Sequence, residues 1–81
     1  IYPGASPEQV EREVLEPIEE AIQSIAGVKS INGEARDGFA QIVTQFVYSK
    51  DLQEATQDIR DAISTKRQDL PQEIEEPILR K

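Results

Sequence analysis

The dipeptide Asp37-Gly38 lies near the middle of the chain, between two segments rich in β-branched and apolar residues. An Asp-Gly pair in this setting is a strong local signal for a β-hairpin, because glycine tolerates the left-handed backbone that a tight turn requires. We therefore predict one strand over residues 28–35 and a second over residues 39–48. Any further element must be built from the segments before and after this antiparallel pair.

A helix is predicted before the hairpin, over residues 7–26. Ser6 suits the N-cap, Pro7 suits the first helical position, and Gly27 suits position C′ just beyond the end. Six apolar residues recur at helical spacing and form one stripe: Val10, Val14, Ile18, Ala21, Ile22 and Ile25.

Pro17 interrupts this helical pattern. A proline inside a helix removes one backbone hydrogen bond and costs about 3 kcal/mol. The sequence leaves two alternatives open, namely a helix that kinks at Pro17 or two shorter helices that meet there.

A second helix is predicted after the hairpin. Asp51 suits its N-cap, Glu54 stands at the capping-box spacing, and Pro71 ends the helical pattern. The apolar stripe of this helix comprises Leu52, Ala55, Ile59, Ala62, Ile63 and Leu70.

The ends of the chain are interpreted as parts of two further strands. Ile1-Tyr2 is expected to finish a strand whose body lies outside the sequence, and residues 72–81 are expected to lead into another. The complete order is then β-α-β-β-α-β, the ferredoxin-like split βαβ pattern. We therefore expect one α+β domain over residues 1–81, with two helices on one face of an antiparallel sheet that is truncated at its first and last strands.

The composition argues against nucleic-acid binding and against catalysis. The formal net charge is −7, whereas binding to a phosphate backbone needs clustered Lys and Arg. The chain has no His and no Cys, which removes the commonest general base and the commonest transition-metal ligands. We expect no catalytic residue, no metal and no cofactor, and hence a protein that is not an enzyme.

Three acidic residues of the second helix, Glu54, Asp58 and Asp61, are spaced to share one side of it. Their carboxylates are the oxygen ligands that Ca²⁺ and Mg²⁺ prefer. A lone helix cannot surround a hard cation, so a solvated acidic face is the favoured interpretation.

The second strand of the hairpin is the candidate binding surface. Strand alternation places Ala40, Ile42, Thr44, Phe46 and Tyr48 on one face, and Phe39, Gln41, Val43, Gln45 and Val47 on the other. A surface that combines apolar and amide groups suits amphiphilic ligands. The alternative is that this second face packs against an adjoining domain, and the sequence leaves both open.

The stretch "YPGASPEQVEREVLEPIEEAIQSIAGV", residues 2–28, resembles the first periplasmic porter segment of resistance-nodulation-division (RND) efflux pumps, in the branch that exports hydrophobic and amphiphilic drugs. The matching motifs are the Tyr2-Pro3-Gly4-Ala5 turn, Glu16-Pro17-Ile18-Glu19, Ile25-Ala26-Gly27-Val28, Asp51 with Ala55, and "LPQEI" at residues 70–74. The resemblance implies a porter subdomain, PN1, in the periplasmic part of a proton-driven bacterial inner-membrane pump.

The resemblance also implies roles for individual residues. The strand after the hairpin turn would contribute to a drug pocket, in which Gln41 matches a pocket glutamine, while Val43 replaces a threonine and Phe39 departs from the family pattern. The second helix, with Asp51, Glu54, Asp58 and Asp61, would face the threefold axis of a homotrimer.

The implied partners are amphiphilic drugs, neighbouring porter subdomains, the other two protomers and, indirectly, a periplasmic adaptor and an outer-membrane channel. Other interpretations are a stand-alone ferredoxin-like domain that binds or senses a small molecule, a hydrolase of the same fold, and a heavy-metal exporter. The isolated chain is also expected to associate through unpaired sheet edges or an apolar helix face.

Overall fold

The computed structural model describes residues 1–75, 78 and 79. Its elements follow one another as helix, hairpin and helix. In chain order they are α1 (Pro7–Val10), a π-helical stretch (Glu11–Leu15), α2 (Glu16–Gln23), β1 (Val28–Arg36), β2 (Phe39–Phe46), α3 (Leu52–Thr65) and a 3-10 helix (Arg67–Asp69). Residues 7–23 together are called the first helical run below.

The first helical run begins where its capping signals predict. The side-chain oxygen of Ser6 accepts a hydrogen bond from the backbone N–H of Gln9 at 3.2 Å. Pro7 follows in the first turn, where a missing N–H removes no helical hydrogen bond. The predicted N-cap is therefore confirmed.

The interruption at Pro17 takes the form of a π-helical stretch immediately before it. The backbone N–H of Glu16 donates to the carbonyl of Glu11, five residues earlier, and Pro17 lies in the first turn of α2. A π turn shifts the hydrogen-bonding register by one residue. Pro17 is therefore in the first turn of a new α-helical segment, where the absence of a backbone N–H is tolerated. The outcome is two α-helical segments joined by a π turn.

The predicted end of this run at residue 26 is wrong. The helix ends at Gln23, and the Ser24 hydroxyl donates to the carbonyl of Ala21 at 2.8 Å. Because Ser24 caps the last turn, Gly27 is not the C′ residue. Gly27 has a φ of 88° and lies in the turn that leads into β1.

The Asp37-Gly38 hairpin is confirmed. Strands β1 and β2 are antiparallel, Arg36 pairs with Phe39, and Gly38 takes a φ of 75° in the two-residue connection. A register irregularity between Val28 and Ser30 places one extra residue, Lys29, in β1.

Strand β2 ends at Phe46, two residues earlier than predicted. The backbone N–H of Lys50 donates to the carbonyl of Val47 at 3.0 Å, which closes a turn. Tyr48 lies in this turn and is fully exposed. The prediction that Tyr48 shares a strand face with Phe46 is therefore wrong.

Helix α3 has the predicted cap but a shorter body. The carboxylate of Asp51 accepts a hydrogen bond from the N–H of Glu54 at 3.0 Å. The helix ends at Thr65, and the 3-10 helix then brings Leu70 back into the core, where it is buried. Leu52, in the first turn, is exposed and lies outside this packing.

The core lies between the first helical run, α3 and the inner face of the hairpin. Its central buried residues are Val14, Ile18, Ile22, Ile63 and Leu70. Ile31 of β1 and Ile42 of β2 pack against this cluster, and Val10 is fully buried. Two helices on one face of a two-stranded antiparallel sheet confirm the α+β class and fit a truncated ferredoxin-like unit.

The start of the chain lies between the hairpin turn and the segment near Glu75. The N–H of Tyr2 donates to the carbonyl of Gly38 at 2.6 Å, and the N–H of Glu75 donates to the carbonyl of Ile1 at 2.8 Å. Neither segment forms a strand within residues 1–75. The predicted lead-in to a last strand includes Glu76, Pro77, Arg80 and Lys81, which lie outside the described residues.

The first helical run lies close against β1 at Gly33. A Cβ atom at Gly33 would lie 2.7 Å from Leu15 Cδ1 and in conflict with the carboxylate of Glu19. Leu15 is buried and cannot move away freely. This contact therefore requires a residue without a side chain.

We predict that Gly33→Ala lowers the free energy of unfolding of the 81-residue chain by about 1–3 kcal/mol, the usual cost of overpacking. Chemical denaturation followed by circular dichroism measures the change. Asn32→Ala, on the exposed face of the same strand, is the control and should shift stability by less than about 0.5 kcal/mol. Equal stability of Gly33→Ala and the parent chain would contradict this packing.

Candidate functional site

Strand alternation exposes one complete face of β2. Along this strand Phe39, Gln41, Val43 and Gln45 are exposed, whereas the residues between them are partly buried. The three residues Phe39, Gln41 and Val43, which the sequence singled out, are therefore together on one exposed surface.

The residues of β1 that pair with these exposed β2 residues form the second row of this surface. The cross-strand pairs are Arg36 with Phe39, Glu34 with Gln41, Asn32 with Val43, and Ser30 with Gln45. These eight residues form what we call the outer face of the hairpin. Directly opposed side chains in an antiparallel pair are close enough to meet one ligand together.

The charges of the outer face neutralise each other. Arg36 Nε donates to Glu34 Oε1 at 2.6 Å, and the hydroxyl of Ser30 donates to Gln45 Oε1 at 2.9 Å. Within the described part of the chain, the amide of Gln41 makes no hydrogen bond. The side-chain amide of Gln41 is therefore available to both donors and acceptors of a ligand, as is that of Asn32, which is exposed on β1 opposite Val43.

Apolar groups stand on both sides of this amide. Phe39 is 39% exposed and Val43 is 50% exposed, so each presents a substantial apolar area to solvent. An aromatic ring, an aliphatic group and a primary amide in a row can bind a molecule that has apolar and hydrogen-bonding parts.

The four acidic residues predicted on α3 do not act as one set. Asp51 is the N-cap, Glu54 and Asp58 accept hydrogen bonds from Lys50 Nζ at 3.0 and 2.8 Å, and Asp61 Oδ1 accepts one from Gln57 Nε2 at 2.9 Å. No group of three or more His, Cys, Asp or Glu in the described ranges is arranged to hold a metal ion. The carboxylate of Asp51 instead accepts a backbone N–H, and those of Glu54, Asp58 and Asp61 accept hydrogen bonds from neighbouring side chains.

Lys50 is the residue that the sequence analysis missed. Its side chain is only 7% exposed, and Nζ lies 5.9 Å from the centroid of the Phe46 ring. The hydrogen bonds to Asp58 and Glu54 raise the pKa of Lys50 above its ordinary value, so the ammonium stays charged at neutral pH. The spacing of Lys50, Glu54 and Asp58 at intervals of four residues is the signal that could have revealed this group.

A groove of about 490 Å³ is lined by residues of both α2 and α3, which pack against each other. Asp58 and Asp61 contribute to one wall, and Ala21 and Ile25 belong to its lining. Lys66 Nζ lies 3.3 Å from Glu20 Oε1 and connects the two sides. Two of the predicted α3 residues, Asp58 and Asp61, therefore line this groove and lie away from the outer face of the hairpin.

The family model of the AcrB/AcrD/AcrF family matches residues 1–81. The chain is 30% identical over 76 residues to the swarming motility protein SwrC of Bacillus subtilis. It is 35% identical over 75 residues to the nickel and cobalt resistance protein CnrA of Cupriavidus metallidurans, and 35% identical over 69 residues to the multidrug resistance protein MdtC of Shigella flexneri.

These alignments cover 94%, 93% and 85% of the chain, but only 7% of the length of each relative. No helix in residues 1–75 is long and apolar enough to cross a membrane. The match to the family model extends over the whole chain and confirms the resemblance to RND pumps. The chain therefore belongs to the AcrB/AcrD/AcrF family of RND efflux transporters.

Proposed function

We propose that residues 1–81 belong to the PN1 porter subdomain in the periplasmic part of a proton-driven RND transporter, and that the outer face of the hairpin contributes to the path of exported drugs. Membership of the family supports the transporter assignment. The observation that carries the pathway assignment is the side-chain amide of Gln41, which has no hydrogen-bond partner among the described residues and lies between the exposed side chains of Phe39 and Val43.

Amphiphilic organic molecules fit this face better than metal ions do. The relatives include a nickel and cobalt resistance protein and a multidrug resistance protein at the same 35% identity. Soft and borderline metals prefer thiolate, thioether and imidazole ligands, and this chain has no Cys, Met or His. The drug-exporting branch is therefore our proposal.

Helix α3 is proposed to face the threefold axis of a homotrimer. Asp61 supports this role best among the four predicted residues, because it is exposed and its only hydrogen bond among the described residues is to Gln57 on the same helix. Neighbouring porter subdomains would surround the other faces, and the adaptor and outer-membrane channel would act indirectly. The association of the isolated chain through sheet edges stays a prediction.

Substitution of Gln41 by Ala in the full-length transporter tests the proposed pathway. Loss of one neutral hydrogen bond, worth about 0.5–1.5 kcal/mol, should weaken export roughly 2- to 12-fold for those substrates that bind the amide. Drug susceptibility and dye efflux of cells with equal amounts of transporter measure the effect over a panel of amphiphilic compounds.

Gln23→Ala is the matched control for this experiment, because Gln23 is exposed at the end of α2 and away from the hairpin. It should leave all substrates unchanged. Unchanged export of every substrate by Gln41→Ala would contradict the proposed pathway, as would an equal loss for all substrates.

Cysteine cross-linking tests the proposed position of α3. At a threefold axis, copies of one residue come close together, and a disulfide forms only when the Cα atoms are about 4.4–6.8 Å apart. Asp61→Cys and Gln57→Cys are introduced singly into a full-length transporter from which other reactive cysteines have been removed. We expect oxidation to give disulfide-linked dimers from at least one of them, seen by non-reducing electrophoresis.

Glu8→Cys, at the exposed start of α1, is the control and should stay monomeric on oxidation. The absence of dimers from both α3 variants would contradict the axial position of α3, and the test of Gln41 would be unaffected.

A further inference from the structure

Helix α3 is attached to the hairpin at few points. It packs mainly against α2, and its direct contacts with the two strands are sparse. The connection between β2 and α3 is also short, since it contains only residues 47–51. A side chain that spans this junction therefore has a large influence on the angle between α3 and β2.

Lys50 spans the junction. Its backbone N–H closes the turn to Val47, and its ammonium group holds Glu54 and Asp58 in the first two turns of α3. The same ammonium lies near the ring of Phe46, the last residue of β2.

The stem of Lys50 reaches a third element, the turn before β1. A Cβ atom at Gly27 would lie 3.2 Å from Lys50 Cδ, so the absence of a side chain at Gly27 leaves the space that the stem occupies. Lys50 therefore contacts the end of β2, the turn before β1 and α3 together.

We propose that Lys50 is a positioning residue that fixes α3 to the hairpin, so that a displacement of α3 moves the end of β2 and the outer face it carries. The transport consequence rests on the proposed function, in which α3 is a subunit contact and the outer face meets the substrate. Through Lys50, the arrangement of subunits would regulate the substrate surface.

The two ion pairs suit a positioning role because the carboxylates of Glu54 and Asp58 both bind the same ammonium group of Lys50. The Lys50 side chain is only 7% exposed, whereas Asp58 is 34% and Glu54 is 62% exposed, so removal of the ammonium leaves both carboxylates without their shared partner. Without Lys50, Glu54 and Asp58 would be two like charges at a spacing of four residues, which destabilises a helix. The first two turns of α3 would then lose both their attachment and their charge balance.

Lys50→Met in the full-length transporter removes the charge and keeps an unbranched apolar stem. We expect backbone hydrogen exchange in residues 52–58 to become at least about fivefold faster, because their attachment to the hairpin is lost. Exchange in residues 30–36 of β1 should stay unchanged. Lys50→Arg, which keeps the charge, should restore most of the protection.

Lys29→Met is the matched control, since Lys29 is exposed at the irregularity in β1. It should leave exchange unchanged in both segments. Unchanged exchange of residues 52–58 in Lys50→Met would overturn the proposal. An equal acceleration in both segments would also overturn it, because it would indicate only a general loss of stability.

A double-mutant cycle between Lys50→Met and Gln41→Ala tests the link to transport. Coupling predicts that their effects on the export of Gln41-dependent substrates combine non-additively by more than about twofold. Additive effects would overturn the link between α3 and the outer face. If Gln41→Ala alone has no effect, the proposed pathway fails, whereas hydrogen exchange still decides whether Lys50 positions α3.

Discussion

The close contact between the first helical run and β1 at Gly33 is the constraint on which the rest of the fold depends. Leu15 can cover β1 only because Gly33 has no side chain at that point. This contact positions the first helical run so that Val14, Ile18 and Ile22 lie over the inner face of the hairpin. There they pack in one cluster with Ile63 of α3. Because successive side chains of a strand point to opposite faces, covering one face of β2 in this way leaves the other face exposed to solvent.

The candidate site is a consequence of this arrangement. Phe39, Gln41 and Val43 are exposed because the residues between them are committed to the core. The two charged residues of the outer face, Glu34 and Arg36, pair with each other and leave this face without a net charge. A neutral surface of apolar and amide groups therefore lies on a strand whose other side packs against the helical core.

Features determined by local sequence were predictable. The N-caps Ser6 and Asp51 and the turn at Asp37-Gly38 depend on neighbouring residues alone, and each lies where its pattern indicates. Features determined by packing were not. Leu15 is buried against Gly33 of β1, and Lys50 lies against Gly27 in the turn before β1, contacts between segments that are well separated in the sequence.

The central claim is that exported molecules touch the outer face of the hairpin, and thiol labelling at position 43 tests it most directly. Val43→Cys and, as a control, Glu8→Cys are introduced singly into the full-length transporter without other reactive cysteines. The account predicts that a saturating amphiphilic substrate slows the reaction of the thiol at position 43 with a maleimide, and does not slow it at position 8. Equal labelling rates at position 43 with and without substrate, for every substrate tested, would contradict the account.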